Sequence, residues 1–96
     1  MRSYEIMYIV KTTLSEEDLK KIVKNFEAII TNGGAKITNS RAMGQRELAY
    51  EIKNQNSGYY FVLNIEANDD KAVKEFDRLA LINQDVIRHL ITKMDN

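Results

Sequence analysis

The sequence contains no cysteine, no proline and no tryptophan, and it has a single histidine, His89. Without cysteine the chain cannot form disulfides, thiolate zinc sites, iron–sulfur clusters or a thiol nucleophile. One histidine cannot build a His-rich metal site. No apolar run approaches the roughly 18–20 residues that span a bilayer, and the N-terminus lacks the apolar stretch of a signal peptide. We therefore expect a cytosolic protein with no cofactor and no membrane partner.

The remaining composition is that of an ordinary globular protein. Of its 96 residues, 44% are hydrophobic and 29% are charged. A chain of this length buries roughly 65% of its surface on folding, which is enough for one core without covalent cross-links. No linker or low-complexity segment divides the sequence, so we expect one domain over residues 1–96.

The charges cancel, because 14 lysines and arginines balance 14 aspartates and glutamates. Tight nucleic-acid binding normally rests on neutralising phosphates, so zero net charge argues against a stand-alone nucleic-acid binder. The charges are nevertheless sorted along the chain. Basic residues are in excess by two in segments 36–53 and 78–93, and acidic residues are in excess by three in segment 66–77. One side of the folded protein can therefore be basic.

Hydrophobic periodicity predicts six elements in the order β-α-β-β-α-β. Strands are expected over 3–10, 35–53, 58–66 and 86–92, helices over 16–32 and 69–81, and a polar turn over 54–57. Ser15 is the candidate N-cap of the first helix, Gly33-Gly34 its end, and Asn68 or Asp69 the cap of the second. This order predicts an α+β, ferredoxin-like sandwich, with a four-stranded antiparallel sheet and both helices on one face.

The second strand contains a change of parity. Its early apolar residues fall at odd positions and its later ones at even positions: Ile37 and Met43, then Leu48, Tyr50 and Ile52. Because side chains alternate faces with period 2, one extra residue must be accommodated, and Gly44 is the natural place for a β-bulge. We expect Leu48 and Tyr50 to face the core beyond this bulge.

No enzyme motif is present: the sequence has no P-loop, GxSxG, HExxH or dinucleotide-binding fingerprint. Asp69 and Asp70 suit the start of a helix better than a metal site, and His89 has no second residue for a proton relay. The loop over 11–14 lacks the glycine that a phosphate-cradling loop of an acylphosphatase would need. We expect no catalysis and no small-molecule substrate.

An RNA-recognition motif is a competing interpretation of the third strand. Its signature K/R-G-F/Y-G/A-F-V-x-F/Y is matched within 57–64 by Gly58, Tyr59, Phe61 and Val62, and not at the other defined positions. In that motif the aromatic residues stack bases on the open face of the sheet. Here the odd positions are the more apolar, so Phe61, Leu63 and Ile65 should face the helices. Tyr60 and Val62 would then lie on the helix-free face.

Several segments carry a more specific resemblance. They are RSYEIMYIV at 2–10, GQRELAYEIK at 44–53, GYY at 58–60, FDRL at 76–79 and DVIRHLI at 85–91. Taken together and in this order, they resemble segments of the bacterial small-subunit ribosomal protein S6 family, over essentially the whole chain.

The resemblance implies a non-enzymatic constituent of the small ribosomal subunit, in the cytoplasm. It also implies binding to the central domain of 16S ribosomal RNA, as a heterodimer with ribosomal protein S18. An RNA affinity that is shared with a partner fits the neutral charge. The alternative is a ferredoxin-like binding or regulatory module outside the ribosome, either similar to an RNA-recognition motif or binding a small ligand.

The resemblance also names candidate contact residues for RNA or the partner. Arg2 and Tyr4 match a basic and aromatic pair at the N-terminus of the family, and Arg46 and Arg88 match arginines of its central motif and last strand. Geometry alone adds the neighbours of the expected bulge, Arg41 and Gln45.

Overall fold

The computed structural model describes residues 2–52 and 54–94, so the predicted strand over 35–53 and the domain over 1–96 include residues outside this range. The elements are β1 (Arg2–Lys11), α1 (Glu16–Asn32), β2 (Lys36–Ile52), β3 (Gln55–Ala67), α2 (Lys71–Ile82) and β4 (Val86–Met94). The predicted β-α-β-β-α-β order is therefore confirmed. In the described ranges, no helix has the length and apolarity that crossing a membrane requires.

The four strands form one sheet in the order β2-β3-β1-β4. Every neighbouring pair is antiparallel. β1 is a central strand, as expected from its two largely apolar faces. This is the ferredoxin-like α+β fold, in which one face of the sheet carries the helices and the other is open.

The core lies between the sheet and both helices. Tyr8 of β1 contacts Phe26 of α1 at 5.1 Å and Phe76 of α2 at 5.9 Å between ring centroids. Ser15 caps α1, because its hydroxyl accepts the Asp18 N–H at 3.2 Å. The end of α1 is at Gly33, whose N–H donates to the Ile29 carbonyl at 3.1 Å. These contacts place both helices on the same face.

The start of α2 differs from the prediction by two residues. The helix begins at Lys71, with Asp70 at the N-cap position and no hydrogen bond from the Asp70 side chain to the first turn. The Asp69 carboxylate instead accepts the Lys71 N–H at 3.1 Å. Because this bond spans only two residues, it forms a turn ahead of the helix and delays the first helical residue.

The side chains of β3 divide between the two faces as predicted. Leu63 and Ile65 are buried beneath the helices, and Phe61 is half-buried there with its ring stacked on Tyr8 at 5.2 Å. Tyr60 and Val62 lie on the open face. The third-strand aromatic residues of an RNA-recognition motif therefore do not form a platform on the open face of this sheet.

The pairing of β2 with β3 contains three register shifts. Ala42 pairs with Phe61 and Gly44 with Tyr60, so Met43 is the extra residue, and Gly44 has a φ of 81°. This confirms the bulge expected at Gly44.

Two further register shifts, between Ile37 and Asn39 and between Glu47 and Ile52, were not predicted. The shift after Ile37 cancels the one at Gly44, because Ile37 and Gln45, both at odd positions, project from the same face. The change of parity in the sequence therefore does not correspond to a change of face.

β2 and β3 continue beyond the rest of the sheet as a two-stranded arm, formed by residues 47–52 and 55–57. The β1–β3 ladder ends at the pair Lys11–Gly58, so the arm has no third strand beside it. The expectation that Leu48 and Tyr50 face the core was therefore wrong. Leu48 is half-buried and Tyr50 is 63% exposed. The predicted turn over 54–57 is also shorter, because Gln55 already pairs with Ile52.

Candidate functional site

The register of the sheet determines which side chains share the open face. Residues directly opposite in an antiparallel pair project from the same face. One row across the four strands is Gly44, Tyr60, Ile9 and Arg88. The next row is Arg41, Val62, Met7 and Leu90. Both rows are free of helices, so they are the natural surface for a partner.

The middle of this face is apolar. We call it the open-face cluster, formed by Met7, Ile9, Tyr60, Val62, Ile87 and Leu90. Ile9 and Ile87 are buried without a helix above them, whereas Leu90 is 49% exposed. Gly58 permits the tight packing here, because a Cβ at this position would overlap the Ile9 Cγ2 methyl. Val62 is buried as well, so the apolar surface that the cluster offers to another molecule is that of Leu90, with Met7 and Tyr60 half-buried beside it.

Three arginines surround the open-face cluster, and we call them the arginine rim: Arg41, Arg46 and Arg88. Arg41 and Arg46 stand opposite Val62 and Gly58, and Arg88 stands opposite Ile9 on the far edge of the sheet. All three are exposed. None has an ion-pair partner within residues 2–52 and 54–94. Their guanidinium groups therefore keep donors available for an anion.

Two carboxylates of the open face lie toward its other end. Glu5 is opposite Asn64, whose side-chain amide donates to it at 3.5 Å, and Glu66 is opposite Lys36. The end with Glu5 and Glu66 is polar and mixed in charge. The end nearer the arm is apolar and mainly basic, and there Asp85 is ion-paired with Lys11 at 2.9 Å. The basic segments 36–53 and 78–93 therefore contribute to one surface through Arg41, Arg46 and Arg88.

The arm brings Tyr50 to Arg88. The Arg88 Nη1 group donates to the Tyr50 hydroxyl at 3.2 Å. β2 and β4 are the two edge strands, and about 14 Å of sheet separates them if neighbouring strands are about 4.8 Å apart. The end of the arm must therefore bend across the sheet to make this bond.

Arg2 and Tyr4 do not join this surface. Tyr4 is 6% exposed and belongs to the core beneath the helices, and its hydroxyl bonds to the exposed Arg2 side chain. This bond is the main reason why the pKa of the Arg2 guanidinium is raised, and the charges of Asp70 and Asp69 raise that pKa by smaller amounts. The pKa of Asp70 is lowered first by its bond to Lys74 and to a lesser extent by Arg2. Arg2 therefore lies near the start of α2.

Gln45 is also separated from the arginines. It pairs with Tyr59, so it projects from the face opposite that of Arg41 and Arg46. There it lines a polar cleft of about 500 Å³ together with Glu47 and Glu51. Two carboxylates in the wall make this cleft unfavourable for a phosphate.

Sequence reasoning missed Tyr50 and the open-face cluster. The signal for the cluster was present, since β1 is apolar at its odd as well as its even positions. Nothing in the sequence indicated Tyr50, because its contact with Arg88 depends on the bend of the arm. In the described part of the chain, no group of three or more His, Asp or Glu side chains is placed to hold a metal ion.

An apolar centre with a cationic rim suits the docking of a macromolecule. The exposed part of the centre, chiefly Leu90, gains free energy by leaving water. The arginines can each bind a phosphate or carboxylate with two parallel N–H donors.

Comparisons with known proteins agree with this fold. The family model described as ribosomal protein S6 matches residues 3–93. A crystal structure of 30S ribosomal protein S6 from Thermotoga maritima is similar, with 29% sequence identity and a TM-score of 0.92, over 97% of this chain and 87% of that one. A protein from Arabidopsis thaliana shares the fold alone, with 12% identity and a TM-score of 0.58, over 100% of this chain and 95% of that one.

Proposed function

The chain belongs to the ribosomal protein S6 family, and we propose that it binds the central domain of 16S ribosomal RNA as a heterodimer with ribosomal protein S18. Members of this family are structural proteins of the small ribosomal subunit and not enzymes. In a bacterial cell this assembly is cytoplasmic. The observation that carries the proposal is the open face, where three arginines that have no ion-pair partner among the described residues lie around an apolar cluster.

The two parts of the open face suit two kinds of partner. The open-face cluster has no phosphate-binding group of its own, so a protein surface such as that of S18 is its natural cover. The arginine rim, at the edge of that contact, suits RNA phosphates. A chain with zero net charge gains little RNA affinity by itself, and a shared site supplies the rest.

The remaining candidates take lesser parts in the proposal. Arg2 contacts RNA or the partner from the side of α2, and Tyr4 holds Arg2 from within the core. Gln45 contacts the partner from the other face of the sheet. None of these three is needed for the open face to bind.

Filter binding to a central-domain fragment of 16S ribosomal RNA, with and without S18, tests the proposal. We expect weak binding by the chain alone at physiological salt and a large gain when S18 is added. Nanomolar binding without S18, and no gain with it, would contradict the shared site.

Co-sedimentation with small ribosomal subunits separates this function from a module that acts outside the ribosome. We expect the chain to sediment with the subunits through a high-salt wash. A chain that stays in the supernatant would favour the alternative.

A further inference from the structure

Arg88 and Tyr50 form a bridge between the two edges of the sheet. Arg88 belongs to the edge strand β4, and Tyr50 belongs to the arm that extends from the opposite edge strand β2. The bond from Arg88 Nη1 to the Tyr50 hydroxyl is 3.2 Å long. Tyr50 is 63% exposed and lies outside the core, so packing in the core does not explain its position.

The bridge leaves most of the arginine free. A guanidinium carries five N–H donors in a fixed fork, and the Tyr50 hydroxyl occupies one of them. Arg78, in contrast, is paired through its guanidinium with the Glu75 carboxylate on the surface of α2. Arg88 is therefore held in place by a neutral group, which fixes its orientation without cancelling its charge.

Fixing an exposed arginine before binding increases affinity. A free arginine side chain loses rotamer freedom when it grips a ligand, and a side chain that is already held loses less. Tyr50 is suited to this, because its rigid ring places the hydroxyl at a defined distance from the arm.

We propose that Tyr50 is a positioning residue for Arg88, which it orients on the open face to receive an RNA phosphate. The proposal rests on the function proposed above and adds a residue and a mechanism to it. The arm then acts as a brace that crosses the sheet to hold one of the three arginines of the rim.

The test uses Tyr50→Phe, which keeps the ring and removes only the hydroxyl. In filter binding to the central-domain RNA with S18 present, Tyr50→Phe should weaken affinity about three- to tenfold, the effect of losing one hydrogen bond. The slope of log affinity against log salt should stay unchanged, because no charge is lost. Arg88→Ala should weaken affinity and also reduce that slope by about 0.9. Tyr59→Phe, on the other face of β3, is the matched control and should change neither.

Two further measurements make the outcome decisive. Adding Tyr50→Phe to Arg88→Ala should cost no further affinity, and an additive loss would overturn the positioning role. In the free chain, NMR relaxation of the Arg88 Nε–Hε group should show more motion in Tyr50→Phe than in the wild type, and equal motion would also overturn it. If the motion changes while Arg88→Ala leaves RNA affinity intact, the bridge between Tyr50 and Arg88 exists, but Arg88 does not bind RNA.

A loss of S18 affinity in Arg88→Ala, measured without RNA, would assign Arg88 to the protein partner and contradict the phosphate role.

Discussion

Tyr8 lies at the centre of the core, where its ring contacts Phe26, Phe61 and Phe76. In residues 2–52 and 54–94, its hydroxyl is buried without a hydrogen-bond partner. Burial raises the pKa of the Tyr8 phenol well above its ordinary value, and the negative charge of Glu27 raises this pKa further. Such a group is costly, because it gives up its bonds to water and receives nothing in return.

Tyr8→Phe should therefore stabilise the protein. Removing an unpaired buried hydroxyl while keeping the ring should raise the free energy of unfolding by about 1 kcal/mol, measured by urea denaturation. Tyr4→Phe is the matched control, because the Tyr4 hydroxyl has a partner in Arg2 and its loss should give no such gain. A loss of stability in Tyr8→Phe would mean that the Tyr8 hydroxyl is satisfied, for example by a buried water.

The same residue predicts sensitivity to alkaline pH. The unfolded chain ionises its tyrosines near pH 10, whereas the fold holds Tyr8 in its neutral form. The stability that comes from holding the Tyr8 phenol neutral is therefore fully present below about pH 10. It is lost as the pH rises toward the raised pKa of Tyr8 in the folded state. Denaturation at pH 8 and pH 11 should show that the advantage of Tyr8→Phe over the wild type grows with pH. Parallel losses in the two proteins would refute this.

At the scale of elements, α1 follows directly from its sequence. The apolar residues recur with the helical period, Ser15 caps the start and Gly33 ends the helix. The stripe and both signals are local, so the expected range 16–32 equals the observed one. α2 begins later than predicted because Asp69 and Asp70 are both candidates for the N-cap of this helix. The sequence does not show which carboxylate accepts the Lys71 N–H, since that depends on the geometry of the turn.

Phe26→Ala tests the packing of α1. Phe26 is 2% exposed and contacts the rings of Tyr8 and Phe76, so we expect a loss of about 3–5 kcal/mol in the free energy of unfolding. The control is Leu81→Ala on α2, whose side chain is 67% exposed and should cost less than about 0.5 kcal/mol. Denaturant titrations measure both. A loss below 1 kcal/mol in Phe26→Ala would mean that the stripe does not support the core.

β2 is the element whose structure was predicted least accurately from the sequence. The bulge at Gly44 was predicted at the correct position, although the parity argument for it does not hold, because the shift between Ile37 and Asn39 cancels its effect on the faces. The bulge between Ile37 and Asn39 was not predicted, since polar residues follow Ile37 and mark neither face. The arm was missed for another reason. Alternation looks the same whether a strand lies beneath helices or runs beyond them, so Tyr50 was assigned to a core that ends before it.

At the scale of the whole molecule, function depends on how a neutral set of charges is distributed. The sequence indicated that basic and acidic segments alternate along the chain. It could not indicate which arginines share a face, because the register between strands decides that. The register brings Arg41, Arg46 and Arg88 together, places Gln45 on the other face, and leaves Arg2 beside the start of α2.

The central claim is that the arginine rim binds ribosomal RNA when S18 is present. A matched control exists, because Arg78 is an exposed arginine on α2 that is already paired with Glu75. Removing any of these side chains changes the total charge equally. A difference in RNA affinity between these variants therefore depends on where the lost charge was located, since the amount of charge lost is the same.

The most direct measurement is filter binding of the S18-containing complex to the central-domain RNA across a range of salt concentrations. Arg46→Ala and Arg88→Ala should each weaken affinity and lower the salt slope by about 0.9, and Arg78→Ala should change neither. Thermal unfolding should show that each variant loses less than about 0.5–1 kcal/mol of stability. Affinity and slope that stay unchanged in both rim variants, or that fall equally in Arg78→Ala, would contradict the account.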